Sequence, residues 1–340
     1  MDKSIKSNKF LEFIKLKGPI SYSSIKENFS TINEATLVRN LNKLIKEGQI
    51  NKTKEGKNTS YQIIDHNIIQ EYFKKDFFER ATKKYNFDFL EKYIPNETSF
   101  LGKRYSKIKD KYDNIGLLST YDYKTNIRGI ENLLIDLSFS SSKLEGNTYN
   151  YLDTEVLIKY NQQANGRTQF ESQMILNHKN AIKYIIDNRN IIEYTKYEFY
   201  IIHKLLAKGL LIEDYLGTIR SSEVKIGGST YFPLDNKFQL EEQFELFLNK
   251  LNKIKNPFEQ SLFILVFIPY FQLFMDINKR VSRIASNIPL IKNGLPPFSF
   301  LQINDRDYIT AILAIYELND VSLMADIYVE NYILNMNRYI

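Results

Sequence analysis

At 340 residues and 43% hydrophobic content, with few Gly and Pro, the sequence is long enough for two or three packed, mostly helical domains and carries no signature of disorder. The absence of cysteine excludes disulfides and thiolate metal centres. Eleven lysines and one arginine stand against six carboxylates in residues 1–60, an excess of six that equals the net charge of the whole chain. The basicity therefore belongs to the N-terminal segment, as contact with a polyanion would require or as simple solubilisation would produce.

The first 65 residues predict three short helices and a hairpin. Phe10, Phe13 and Ile14 share a helical face that Gly18-Pro19 ends. SYSSIKENF is a second helix, and TINEATLVRNLNKLIKEG a third, with Leu37, Val38, Leu41, Leu44 and Ile45 inward and Gly48 as its C-terminal stop. QINKTKEGKNTSYQII then alternates around a turn at Gly56. This order resembles a winged helix-turn-helix DNA-binding domain over residues 1–65. The resemblance implies that the third helix enters the major groove of double-stranded DNA. It would offer Asn33, Thr36, Arg39, Asn40 and Lys43 to bases and phosphates, with Lys52, Lys54 and Lys57 on the wing. The alternative use of such a domain is protein contact or homodimerisation.

Residues 66–124 are Lys-, Tyr- and Phe-rich and predict a helical connector broken at Pro95-Asn96, without recognisable chemistry. NIRGIENLLIDLSFSSSKLEGN predicts a helix with Ile130, Leu133, Leu134 and Leu137 on its apolar face. RSSEVKIGGSTYFPL alternates around Gly227-Gly228 and predicts a β-hairpin. Asn256-Pro257 is a cap and first-turn start for an apolar helix. Its run LFILVFIPYF (262–271) is too short to span a bilayer, so no membrane partner is expected. MDKSIKSNKFLEFIKLKG has no uninterrupted apolar core of the secretory type, which predicts a cytoplasmic protein.

The chemistry lies in FQLFMDINKRVSR, residues 271–283. Lys279, Arg280 and Arg283 crowd a helix start, where the macrodipole favours anions. Free N–H groups, two guanidiniums and a lysine suit a phosphate chain, and Asp276 could hold a Mg²⁺ that bridges phosphate oxygens. A solvated helix start with Asp276 paired to Arg280 is the competing reading.

This stretch resembles the signature H-P-F-x-D-G-N-G-R-x-x-R of the Fic (Fic/Doc, or Fido) family. Gln272 stands in the His place, Asp276 in that of the acid, Ile277 and Lys279 in those of the glycines, with Asn278, Arg280 and Arg283 matching. SSKLEG (141–146) resembles the family's inhibitory motif through Ser141, Glu145 and Gly146. VKIGGSTYFP, preceded by Gly217-x-x-Arg220, resembles its target-docking flap through Gly227, Gly228, Ser229, Thr230 and Tyr231. The resemblance covers about residues 125–335. It implies a mainly α protein: a helical Fic-type domain with a small hairpin flap over 125–340, behind the winged helix and connector. It further implies ATP and Mg²⁺ as ligands and AMP transfer to a target protein's hydroxyl, with Asp276 on the metal. The turn and Arg280 would hold the α- and β-phosphates and Arg283 the γ-phosphate. Glu145 would block the last by pairing with Arg283, and Ser141, one helical turn earlier, points the same way.

Two departures matter. The family's His is a general base, and the Gln272 amide takes no proton near neutral pH, a loss of roughly 10²–10⁴-fold in rate. Ile277 replaces a glycine whose bareness lets backbone amides approach phosphate. His66, His178 and His203 lie outside the motif, and His203, in YIIHKLLAKG, reads as structural. Three functions stay open: an impaired protein adenylyltransferase, a non-catalytic nucleotide-responsive DNA-binding regulator, and a de-AMPylase in which Glu145 activates water.

Overall fold

The computed structural model describes residues 10, 11, 13, 14, 20–46, 50–55, 58–63, 66–115, 123 and 126–339. Gly18-Pro19, Gly48, Gly56 and Lys57, which the sequence singles out, lie outside the described residues, as do the side chains of Lys54 and His66.

Near the N-terminus, Ile20–Ser21, Asn58–Ile63 and Ile50–Glu55 form a three-stranded antiparallel sheet in that spatial order, with Ile20 opposite Tyr61 and Ile50 opposite Ile63. Helices Tyr22–Asn28 and Glu34–Lys46 pack on it. Each starts on a side-chain cap: Ser21 accepts from Ser24 N, and Asn33 accepts from Ala35 N. Phe10, Ile14, Ile25, Leu37, Leu41, Leu44 and Tyr61 form a core of their own. Val38 is the exception among the expected inward residues. It is 39% exposed, because the buried stripe of the longer helix runs through positions 37, 41 and 44 and leaves 38 at its flank.

The expected connector is no tether. Helix His66–Lys74, strand Lys83–Lys84 and helices Phe87–Glu91 and Tyr105–Ile115 lead into a second, larger core. Tyr85, Leu90, Tyr93, Leu101 and Ile108 are buried in the same cluster as the apolar helix Pro257–Phe271. The buried Glu259 carboxylate ties the two together, accepting from Tyr93 Oη, Ser99 Oγ and the amides of Phe100 and Leu101. Its sequence carries no periodic signal because short pieces, each apolar on one side, follow the shape of the helices beneath them.

Pro257–Phe271 is the central element. Asn256 caps it by accepting from Phe258 N and Glu259 N, Pro257 opens the first turn, and every residue from Phe258 to Phe271 is buried. Lys237–Lys253, Asn278–Ala285, Asn287–Lys292, Asp305–Leu318 and Ser322–Asn335 pack on it, and Ile127–Lys143, Gln169–Asp187 and Lys196–Ala207 pack against Asn278–Ala285. None of the described helices is long and apolar enough to cross a membrane.

The hairpin expected over residues 220–234 is replaced by a different arrangement. A turn at Ile226–Ser229, with Gly228 at φ +74°, leads to the two-residue strand Tyr231–Phe232. That strand pairs in parallel with Lys83–Lys84 rather than with residues 221–226. Ser229, Thr230 and Tyr231 are buried in succession, without the alternation a two-faced hairpin would show, and are held by contacts from distant elements.

Candidate functional site

The apolar helix ends at Gln272, whose backbone turns left-handed (φ 51°, ψ 56°). Arg220 holds that end. Its backbone N–H donates to Leu273 O at 3.0 Å, and its guanidinium donates to the carbonyls of Gln272 and Leu234. Gly217 is required nearby, since with φ +69° a Cβ would meet Tyr200 O at 2.8 Å. Asn278 closes the turn by accepting from Phe274 N at 2.9 Å and donating to Phe274 O at 2.8 Å.

Ile277 then takes φ 69°, ψ 5°, a genuine outlier for a β-branched residue, directly before helix Asn278–Ala285. Its side chain is 2% exposed, so apolar burial offsets the backbone strain. No side chain caps this helix start, and it carries cations in place of the usual acids.

Arg280 and Arg283 lie one turn apart on this helix and are both buried. Arg283 is matched on every side. It donates to Ser141 Oγ (2.8 Å), Ser141 O (3.1 Å), Tyr308 Oη (3.2 Å) and Glu145 Oε1 (2.7 Å). Burial opposes its charge, and Tyr308 and Glu145 overcome that, so the guanidinium stays above its ordinary value. Burial would likewise raise the Glu145 carboxyl, but Arg283, Lys279 and Arg280 together hold it below the usual carboxylate value. Lys279 Nζ stands 3.6 Å from the same Glu145 oxygen.

Behind Arg283, the Ser141 hydroxyl lies 2.9 Å from His178 Nε2, and His178 Nδ1 lies 2.7 Å from Met174 O. A neutral imidazole protonated on Nδ1 satisfies both contacts, and Ser141 then donates to His178 while accepting from Arg283. Burial pushes His178 down to about 3.

Arg280 is the opposite case. Nε and Nη1 have no hydrogen-bond partner, and its nearest carboxylate oxygen is Asp276 Oδ2 at 3.7 Å from Nη2. Burial depresses it below its ordinary value. The Asp276 side chain is 64% exposed, with Oδ1 accepting from Ile277 N. Among the described residues no three His, Cys, Asp or Glu side chains cluster as a metal cage. Asp276 is a single open carboxylate, too few to hold a metal ion without further ligands.

The Gln272 amide points into the protein. Nε2 donates to Pro269 O (2.8 Å) and Tyr316 Oη (3.2 Å), and Oε1 accepts from Asn278 Nδ2 (3.2 Å). His203 stacks on Phe274 at 3.9 Å between ring centroids. Its Nδ1 accepts from Gly217 N, its Nε2 lies 3.3 Å from Asp276 O, and burial lowers it to about 4.

Of the residues singled out in sequence, Ser141, Glu145, Gln272, Asp276, Ile277, Asn278, Lys279, Arg280 and Arg283 meet at this one turn, and Gly146 follows Glu145 in a left-handed conformation. Gly227 to Tyr231 lie apart from the phosphate turn but touch its helix, with Tyr231 Oη donating to Tyr270 O at 2.8 Å. Asn33, Arg39, Lys43 and Lys52 are exposed, and Thr36 and Asn40 are half-buried, in the N-terminal unit. Tyr308, Tyr316 and His178 escaped the sequence reading because each looks like an ordinary core position of its helix.

Residues 194–290 match the Fic/DOC family. Solved structures of similar fold include Fic-1 from C. elegans (17% identity over 70% of each chain, TM-score 0.57). A Fic family protein from Desulfovibrio desulfuricans aligns at 16% identity over 72% of this chain and 76% of that one, with TM-score 0.57. A Fic domain containing signaling protein from Bacteroides thetaiotaomicron gives 16%, 70% and 94%, and 0.54. No curated protein matches the sequence.

Proposed function

We propose that the 272–283 turn binds ATP with Mg²⁺, that Glu145 holds the site shut, and that the protein is a catalytically impaired relative of Fic adenylyltransferases linked to a DNA-binding unit. The observation that carries this is Arg280, a buried guanidinium with two unpartnered nitrogens at an uncapped helix start. A buried charge without partners is costly, so an anion is its natural complement. Asp276 would share the Mg²⁺ with the phosphates. The Asn278–Arg280 amides, Lys279 and Arg280 would hold the inner phosphates, and Arg283 would grip the γ-phosphate once Glu145 has left it.

Positioning of this kind is most of what phosphate-transfer chemistry asks of a protein. What is lacking is a base. The Gln272 amide is engaged from both ends, so the proton of an attacking hydroxyl has no acceptor there, and AMP transfer falls by roughly 10²–10⁴-fold. Water activation by Glu145 is disfavoured, because a carboxylate held below its ordinary value beside Arg283 is a weak base.

The same engagement of Gln272 favours a second use, in which nucleotide occupancy regulates a DNA-binding unit. The order strand, helix, helix, hairpin over 20–63 supports the winged-helix reading of residues 1–65. The exposed Asn33, Arg39, Lys43 and Lys52 support duplex contact.

The experiment is incubation with α-labelled ATP of wild type, Glu145→Gly, Gln272→His and the Glu145→Gly/Gln272→His double variant in parallel, beside duplex titrations with and without ATP and with residues 1–65 removed. Least label on wild type and most on the double variant is expected. Equal label on all, with duplex affinity indifferent to ATP and to removal of residues 1–65, would overturn the proposal.

A further inference from the structure

The edge of Tyr231–Phe232, where an extended segment of another protein would pair, is already taken by this chain. Lys83 N donates to Thr230 O and Tyr85 N to Phe232 O, both at 3.0 Å, and Thr230 Oγ1 donates to Ala81 O at 3.0 Å. One buried carboxylate anchors the arrangement. Glu317 accepts from Arg80 Nη1 (2.8 Å), Tyr72 Oη (3.1 Å), Ser229 Oγ (2.9 Å) and Thr230 N (3.1 Å). Arg80 also donates to Gly228 O at 2.8 Å and lies over the rings of Phe73 and Phe77.

We propose that residues 80–85 are a self-bound strap, latched by Arg80 on Glu317, that closes the 229–232 edge to any other strand. The role of that edge as a docking site rests on the flap resemblance of Gly227 to Tyr231 and on the proposed action on a protein target; its occupation by residues 80–85 does not.

The bonds are those of β-augmentation, in which main-chain groups supply the pairing and any extended segment can compete for it. Two features make this a device that can open rather than a permanent seam. The paired stretch is two residues long, far below a self-sufficient strand. Arg80 Nε is buried without a partner, so the latch is incompletely satisfied.

The strap also has a handle. Tyr72 and Phe73 sit on His66–Lys74, the helix that follows the last strand of the N-terminal sheet, so tension on that unit is delivered to Glu317 directly. Tyr316, its chain neighbour, receives the Gln272 amide. Helix His66–Lys74 and the 272–283 turn thus bond to adjacent residues, Glu317 and Tyr316, of one helix.

The test is hydrogen exchange at the amides of Lys83 and Tyr85 in the full chain, with Arg80→Ala and, as a second variant that buries no orphan charge, Lys83→Pro. Each variant should speed exchange at Tyr85 at least tenfold, while amides of 262–268 stay as in wild type. A labelled peptide copying residues 78–88 should then bind either variant at least tenfold more tightly than wild type. Exchange as slow as wild type in both variants would overturn the strap. Faster exchange without peptide capture would overturn the claim that the vacated edge accepts a strand. ATP titration of the same variants separates the two proposals: absence of ATP binding beside faster exchange would leave the strap standing and remove the nucleotide reading.

Discussion

Arg280 and Arg283 are the same residue one helical turn apart, equally buried, and in opposite condition. Around Arg283 two oxygens of Ser141, a tyrosine and a carboxylate converge from two other parts of the chain, and its charge is cancelled in place. At Arg280 two nitrogens are buried without a hydrogen-bond partner, and Asp276 stands off at 3.7 Å. A matched buried charge is a closed contact, while an unmatched one at a helix start is a seat for an anion from outside. One helix therefore carries a guanidinium that is fully partnered, by Glu145 among others, and one that is not.

The contrast can be broken most dramatically at the chemistry it guards. With Glu145→Gly clearing Arg283, adding Gln272→His should raise AMP incorporation by roughly 10²-fold or more, the worth of a positioned base; radiolabel on the protein measures it. Next is stability. Arg283→Met removes one partner of a buried pair and should cost about 3–5 kcal/mol, whereas Arg280→Met removes an unmatched charge and should be neutral or stabilising. Urea unfolding of the two variants reads the difference directly, and equal losses would mean that Arg280 is matched after all.

Acid sharpens the comparison on the Arg283 side. His178, behind Ser141, is depressed to about 3, and His203 to about 4, both from 6.5. A depressed histidine contributes stability that is complete above its unfolded value and is lost as pH falls toward the folded one. Each should therefore remove on the order of 1.4 kcal/mol per pH unit below about pH 6.5. Glu145, also depressed, keeps its share down to 4.5 and loses it only below. Urea midpoints should thus fall between about pH 7 and about pH 5 while the Glu145–Arg283 pair is still charged, and His178→Asn should flatten that fall.

Much of the 272–283 turn was legible because its parts are close in sequence. Asp276, Asn278, Lys279, Arg280 and Arg283 span two turns, and a cation cluster at a helix start conflicts with the dipole visibly enough to demand an anion. Glu145 could be placed only through its motif, since 138 residues separate it from Arg283. The hairpin was misread for the opposite reason. Alternation in VKIGGSTYFPL does not survive in the burial, since Ser229, Thr230 and Tyr231 are all buried in a row by distant elements. The partner strand, two lysines nearly 150 positions upstream, has no pattern of its own. Glu317 was equally silent, because a glutamate near the end of an amphipathic helix reads as surface until the fold brings Arg80, Tyr72 and Ser229 onto it.

Calorimetric titration of ATP with Mg²⁺ into wild type and Glu145→Gly tests the central claim most directly. Freeing Arg283 for a γ-phosphate should add charge-assisted hydrogen bonds worth about 1.5–3 kcal/mol and tighten binding at least tenfold. The same affinity in both proteins, or none in either, would contradict the account.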